Sequence, residues 1–225
     1  MSLYMRGVLM ATMTALLFGS MSSIAKLISA DGLSQMSVMA YRTVFVVVTL
    51  GLWHSATQGK AFFLVPRHMI PRYAALGFFT LVCNAGGFMM SCMYLSVPHA
   101  VILHYMFPLT TMAGACLVTR ERPTGLEVLA AVLVVAGMLL GFSSGGEAMD
   151  APSATGWVWG IISVLGFSGQ VLLSRTMLKG GNSNPMTQLF YTNLFGGLII
   201  IVGKTLFAGW ADLSGLSWHV FALMQ

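Results

Sequence analysis

The sequence predicts an all-α membrane protein, an inverted repeat of five transmembrane helices of which about seven to eight spans fall in this chain. Three observations predict it. The chain is 57% hydrophobic and 8% charged, with a mean hydropathy of +0.84. A soluble domain carries roughly 25% charged residues, and a fold in water cannot hide this much apolar surface. Apolar runs of membrane-crossing length recur from end to end. Finally, Gly156 to Arg175 echoes Gly7 to Lys26 at a constant offset of 149 residues. Gly156 falls on Gly7, Ser163 on Thr14, Leu165 on Leu16, Phe167 on Phe18 and Arg175 on Lys26. Each copy opens on Gly, carries Leu-x-Phe near its middle and closes on a cation. A period this long marks a repeat of half-proteins.

A bilayer core about 30 Å thick takes about 20 apolar residues per helix. That rule places spans one to seven near residues 7–28, 37–57, 73–94, 98–118, 125–142, 156–178 and 186–208, with an eighth starting near Leu216. Span one follows Arg6, but its apolar run is too long for a signal peptide and more spans follow, so it stays as a membrane helix. Asp31-Gly32 divides spans one and two, and Pro66 and Pro71 bracket a basic loop before span three. Ser96-Val97-Pro98 is so short a turn that spans three and four must be neighbours. Arg120-Glu121-Arg122-Pro123 separates four from five. Ser143-Ser144-Gly145-Gly146 opens a polar loop before six, and Asn182-Ser183-Asn184-Pro185 precedes seven.

Loop cations set the orientation. With the N-terminus inside, the inner segments hold Arg6, Lys60, Arg67, Arg72, Arg120, Arg122, Arg175 and Lys179. The outer side keeps Lys26 and Lys204, at helix ends where a long side chain can snorkel. The expected topology is a cytoplasmic N-terminus in a bacterial inner membrane, with the 143–155 loop outside. Five spans precede the echo, an odd number, so the second copy enters from the opposite face and the repeat is inverted. Residues 1–149 form the first five-helix repeat and 150–225 an incomplete second one. Two full copies imply about 298 residues and ten spans, so the chain is expected to stop partway through its second half.

Other classes are disfavoured. The net charge of +5 suggests nucleic acid only if loop cations retained on one membrane face are ignored, and no nucleic-acid partner is expected. Cys83, Cys92 and Cys116 all sit in apolar runs, and an odd count inside spans is no disulfide framework. There is no metal-ligand spacing, no catalytic Cys/His pair and no call for a cofactor. The expected partners are the lipid bilayer and a small-molecule substrate; no catalytic residues are assigned.

From Tyr94 to Gly141 the sequence carries a short turn into span four, Pro108 within that span, Glu121 just after it and a Gly-rich fifth span. Span two carries Ala40-Tyr41-Arg42 ahead of an apolar run. These features resemble the drug/metabolite transporter superfamily, the EamA-like permeases. The resemblance implies ten helices in two inverted repeats, a central cavity and alternating access.

Polar residues at mid-span are the cavity candidates. Ser20 and Ser23 share a face of span one, serving either close helix packing or the cavity. Asn84 lies at the middle of span three beside Gly86-Gly87, where a packed helix or a substrate would satisfy it. In span four, His104 and Tyr105 precede Pro108, whose missing N–H loosens the preceding turn, and unwound backbone is tolerated only against protein or a wet cavity. Gln170 stands mid-span in span six, and Tyr191 and Asn193 in span seven. Tyr191 falls on Arg42 at the repeat offset. Arg42 lies in the second turn of span two, as an anchor at the outer headgroups or as a gating and substrate-attracting group. Every carboxylate falls in a loop or at a span end, so proton coupling through a mid-membrane acid has no support. The expected activity is transport of a small organic metabolite, amino-acid-like or amphipathic, by alternating access. A structural or sensory membrane subunit is the alternative. A membrane enzyme would need a nucleophile, metal cluster or paired acids.

Overall fold

The computed structural model describes residues 5, 7–10, 12–13, 16, 34–118, 120, 123–144, 153–181 and 183–212, without the side chains of 60, 61 and 142–144. The described positions between 5 and 16 are all helical. The rest of span one with Ser20 and Ser23, and the start of span eight, lie outside the described residues.

Among the described residues there is helix and no strand. Five helices are long and apolar enough to cross a membrane: Gln35–Thr57, Arg67–Tyr94, Val97–Val118, Ala154–Lys179 and Pro185–Phe207. They are spans two, three, four, six and seven. Span five is the helix Gly125–Ser144, whose apolar part is the shorter Gly125–Gly141. The protein is an all-α integral membrane protein.

Capping groups and prolines mark the first turns of spans three, four, five and seven. Span five opens on a capping box: Glu127 accepts from the Thr124 N–H at 2.7 Å, and Thr124 Oγ1 accepts from the Glu127 N–H at 3.4 Å. Before span seven, Asn184 Oδ1 accepts from the Thr187 N–H at 2.8 Å, with Pro185 in the first helical position. Pro71 and Pro98 occupy the first turns of spans three and four.

Two helices are irregular. Span three widens to π-helical geometry over Phe78–Gly86, which includes Asn84. Span four breaks between Val97–His104 and Phe107–Val118. Pro108 has no N–H to offer the His104 carbonyl. The chain tightens there instead, with the Met106 N–H donating to the Leu103 carbonyl at 3.1 Å.

The chain divides into two compact units, Thr43–Ile201 and Met1–Arg42 with Val202–Gln225. In the first, span six is the centre. It packs along span three, including its π-helical part, and against both halves of span four. Lipid gives no hydrophobic drive for helices to associate, so close backbone approach must supply the contact. A Cβ added at Gly166 would lie 2.6 Å from the Asn84 backbone nitrogen, and one at Gly87 would lie 3.0 Å from the Trp159 carbonyl. Spans three and seven cross as closely: a Cβ at Gly77 would meet the Gly196 nitrogen at 2.6 Å. Below this crossing Met69, Tyr73, Leu76 and Met177 form a fully buried apolar cluster. Leu52, Leu129, Leu133, Leu139 and Leu206 are exposed, as side chains that meet lipid should be.

In the second unit the described residues are mainly the two helix ends 34–42 and 202–212. The sequence places Lys204 at a helix end where it can snorkel. Instead it is buried, at 1% exposure, and paired with Asp212 at 3.1 Å. The carboxylate compensates an ammonium that would otherwise be a buried unpaired charge.

Candidate functional site

Span six lays Ser163, Phe167 and Gln170 along one face, at helical spacing i, i+4 and i+7. Span three presents Asn84 from its π-helical turns, and span four presents His104 from the last turn before its break. These groups meet. Asn84 Nδ2 donates to Gln170 Oε1 at 3.2 Å. Ser163 Oγ donates to the Asn84 carbonyl at 2.9 Å and lies 2.9 Å from His104 Nδ1. Three spans are thereby joined through neutral hydrogen-bonding groups.

The donor directions settle the histidine tautomer. A carbonyl can only accept, so the single Ser163 proton goes to Asn84. Ser163 Oγ must then accept from His104, which carries its proton on Nδ1 and leaves Nε2 as an acceptor. The imidazole sits among Phe88, Phe107 and Phe167, at ring-centre distances of 5.1, 6.0 and 5.6 Å. Further along the seam, Ser168 Oγ donates to the Val164 carbonyl at 3.0 Å. It is met by Thr110 and Thr111 Oγ1 at 2.6 and 3.1 Å.

Asn84, His104 and Gln170 are thus brought together, with Pro108 shaping the break beside them. Other candidates are not in this group. Tyr105 is 55% exposed, with its ring 6.5 Å from that of Phe107. Tyr191 stacks on Tyr73 at 5.1 Å and donates to the Phe63 carbonyl at 3.0 Å. Asn193 is buried and donates back to the Leu189 carbonyl of its own helix at 2.8 Å. Arg42 is exposed and belongs to the other unit. Ser20 and Ser23 lie outside the described residues.

Ser163, Ser168, Thr110 and Thr111 were not singled out from the sequence as site residues. A signal for Ser163 was present: it matches Thr14 in the repeat and lies two turns before Gln170. A small hydroxyl in a packed span is normally satisfied by its own helix, so spacing alone does not flag it.

A cavity of about 370 Å³ lies at the loop end of this unit, lined by Gln58, Phe62, Tyr73, Ser183, Asn184 and Thr187 among others. Tyr73 and Ser183 bridge one wall, hydroxyl to hydroxyl, at 2.6 Å. The seam holds hydroxyls, amides and one imidazole, groups that both donate and accept hydrogen bonds. Among the described residues no group of three or more His, Cys, Asp or Glu is placed to hold a metal.

No curated protein matches the chain. The sequence profile of the EamA-like transporter family matches residues 5–143, more than half of the chain.

Proposed function

Because the chain belongs to the EamA-like transporter family, we propose that it carries a small organic metabolite, amino-acid-like or amphipathic, across the bacterial inner membrane by alternating access. Its N-terminus lies in the cytoplasm. Residues 1–149 and 150–225 are parts of two inverted five-helix repeats. The family's members are transporters, and the chemistry asked of this chain is binding and release rather than catalysis.

The observation that carries this reading is the chain of hydrogen bonds from His104 through Ser163 to Asn84 and from Asn84 to Gln170. An amide at bilayer depth is costly without a partner. Here polar groups from three helices share one seam, flanked by a π-helical stretch and a proline break. Irregular backbone at membrane depth belongs where it is buried in protein or lines a polar path, and π-helical turns gather at functional sites. In this conformation the seam is closed on itself. A substrate opens it by exchanging its own donors and acceptors for those of Gln170 and His104. Tyr105, Pro108, Tyr191, Asn193, Ser20 and Ser23 are further candidates for the transport path, and Arg42 for gating or anchoring.

The same internal pairing favours one competing reading, that of a structural or sensory subunit in which the seam only holds helices together. Flux separates the two. The protein in vesicles should take up labelled neutral amino acids faster than protein-free vesicles, and Gln170→Ala should lower that rate. Equal flux with and without protein, across a broad metabolite panel, overturns the carrier reading. A thermal-shift screen identifies the substrate, since a ligand at 100 times its Kd stabilises by about 2.7 kcal/mol.

A further inference from the structure

A second polar cluster ties together two helix ends. Lys204 Nζ, at the C-terminal end of span seven, bonds Asp212 Oδ1 at 3.1 Å and Ser34 Oγ at 2.9 Å. Asp212 Oδ2 accepts from the Ser34 N–H at 3.0 Å and from Ser37 Oγ at 2.6 Å. The carboxylate therefore sits on the N-terminal turn of span two, where a helix favours an anion, and Lys204 sits at the C-terminal end of its own helix, where a cation is favoured. Gly209, at φ +67°, gives its N–H to the Lys204 carbonyl at 2.9 Å and turns the chain back. That return brings Asp212 to Lys204 and lays the Trp210 ring 5.1 Å from Nζ.

We infer that the Lys204–Asp212 pair, with Ser34 and Ser37, is a releasable latch that holds the outer ends of spans two and seven together in one state of the transport cycle. The inference rests on the carrier reading and on the cytoplasmic N-terminus proposed above. Spans two and seven hold the same place in the two repeats, as the match of Arg42 to Tyr191 marks. Span two belongs to the first repeat and span seven to the second, so motion of one repeat against the other acts on this join between the N-terminal turn of span two and the C-terminal end of span seven. The join between them suits repeated opening. It consists of three hydrogen bonds, Lys204 Nζ to Ser34 Oγ, the Ser34 N–H to Asp212 Oδ2 and Ser37 Oγ to Asp212 Oδ2, all of which water can replace when the ends separate. Lys204 and Asp212 both belong to the span-seven side, so they stay paired when the ends separate and neither charge is left uncompensated.

The test uses the full chain with Cys83, Cys92 and Cys116 replaced by Ala. Ala40, buried in span two, becomes the reporter as Ala40→Cys. An impermeant maleimide applied from outside should label it about tenfold faster when Asp212→Asn is added, as a shift of about 1.4 kcal/mol in the open population requires. Equal labelling rates overturn the latch. In a second arm, Ser37→Cys with Asp212→Cys is oxidised in vesicles and flux of labelled neutral amino acids is followed. A cross-link that stops flux, with recovery on reduction, supports the latch. Failure to cross-link, or a cross-link that leaves flux intact, overturns it while the carrier reading stands. If the reduced protein moves no probe yet Asp212→Asn speeds labelling, the latch stands and the proposed substrate class fails.

Discussion

Asn84 Nδ2 lies 3.2 Å from Gln170 Oε1, joining two spans across 86 residues of sequence. Each is a neutral amide that lipid cannot solvate, and each gives the other what its own helix does not supply. Interhelical hydrogen bonds in membranes average about 0.6 kcal/mol, with a ceiling near 1.7. Asn84→Ala and Gln170→Ala should each destabilise by about 0.5–2 kcal/mol, and the double variant by less than the sum. Unfolding of the purified protein in detergent measures this, and strictly additive costs would show the pair to be uncoupled.

Ser163 relays between His104 and Asn84. Nitrogen NMR of labelled histidine should find the His104 proton on Nδ1. Ser163→Ala should mix the two tautomers and cost about 1–3 kcal/mol, since it leaves a buried imidazole donor unpaired. A proton on Nε2 in the unaltered protein would reverse the donor directions derived above.

Pro108→Ala restores an N–H that the His104 carbonyl can take. The break between His104 and Phe107 should close and the protein should gain up to about 3 kcal/mol of stability. Flux should fall, because the straightened helix loses its irregular turn. A variant both more stable and fully active would remove the break from the mechanism.

Gly77 and Gly196 face each other where spans three and seven cross, with no room for a Cβ on either. Gly77→Ala should destabilise by about 1–3 kcal/mol, because the obstructing atoms are backbone and cannot rotate away. Gly137 has nothing within 4 Å of its would-be Cβ. Gly137→Ala should be neutral or stabilising by up to about 1 kcal/mol through helix propensity. Melting temperatures of the two variants should therefore move in opposite directions or differ clearly in size.

Desolvation acts to raise the Asp212 carboxyl, but hydrogen bonds from Ser37, Ser34 and Lys204 outweigh it and hold the group well below the usual carboxylate range. Its stabilisation is therefore fully present above the unfolded value of about 3.9 and is lost as pH falls through the lower folded value. The stability difference between the unaltered protein and Asp212→Asn should stay constant from about pH 8 to pH 5 and shrink only in stronger acid. A difference that declines across that neutral range would contradict this assignment.

The helices were largely legible in the sequence. Predicted spans near 37–57, 98–118 and 156–178 are found at Gln35–Thr57, Val97–Val118 and Ala154–Lys179. The predicted start of span three near residue 73 lies at Arg67, because a short helical turn ahead of Pro71 extends it. Of the site, the sequence marked Asn84, His104 and Gln170 as polar groups stranded in lipid. It could not tell which would meet, because residues 86 apart share no local signal.

Hydropathy and span length by themselves determined that this chain is a helical membrane protein, since continuous apolar runs of about 20 residues match the length of a helix that crosses lipid with its backbone hydrogen bonds made internally. Pro108 determined where one helix would break. The tertiary structure alone decided that Ser163 stands between His104 and Asn84, and that Lys204 turns inward to Asp212 rather than outward to the headgroups. Both outcomes depend on how closely particular helices approach, which is set by side-chain packing in three dimensions and not by periodicity along one.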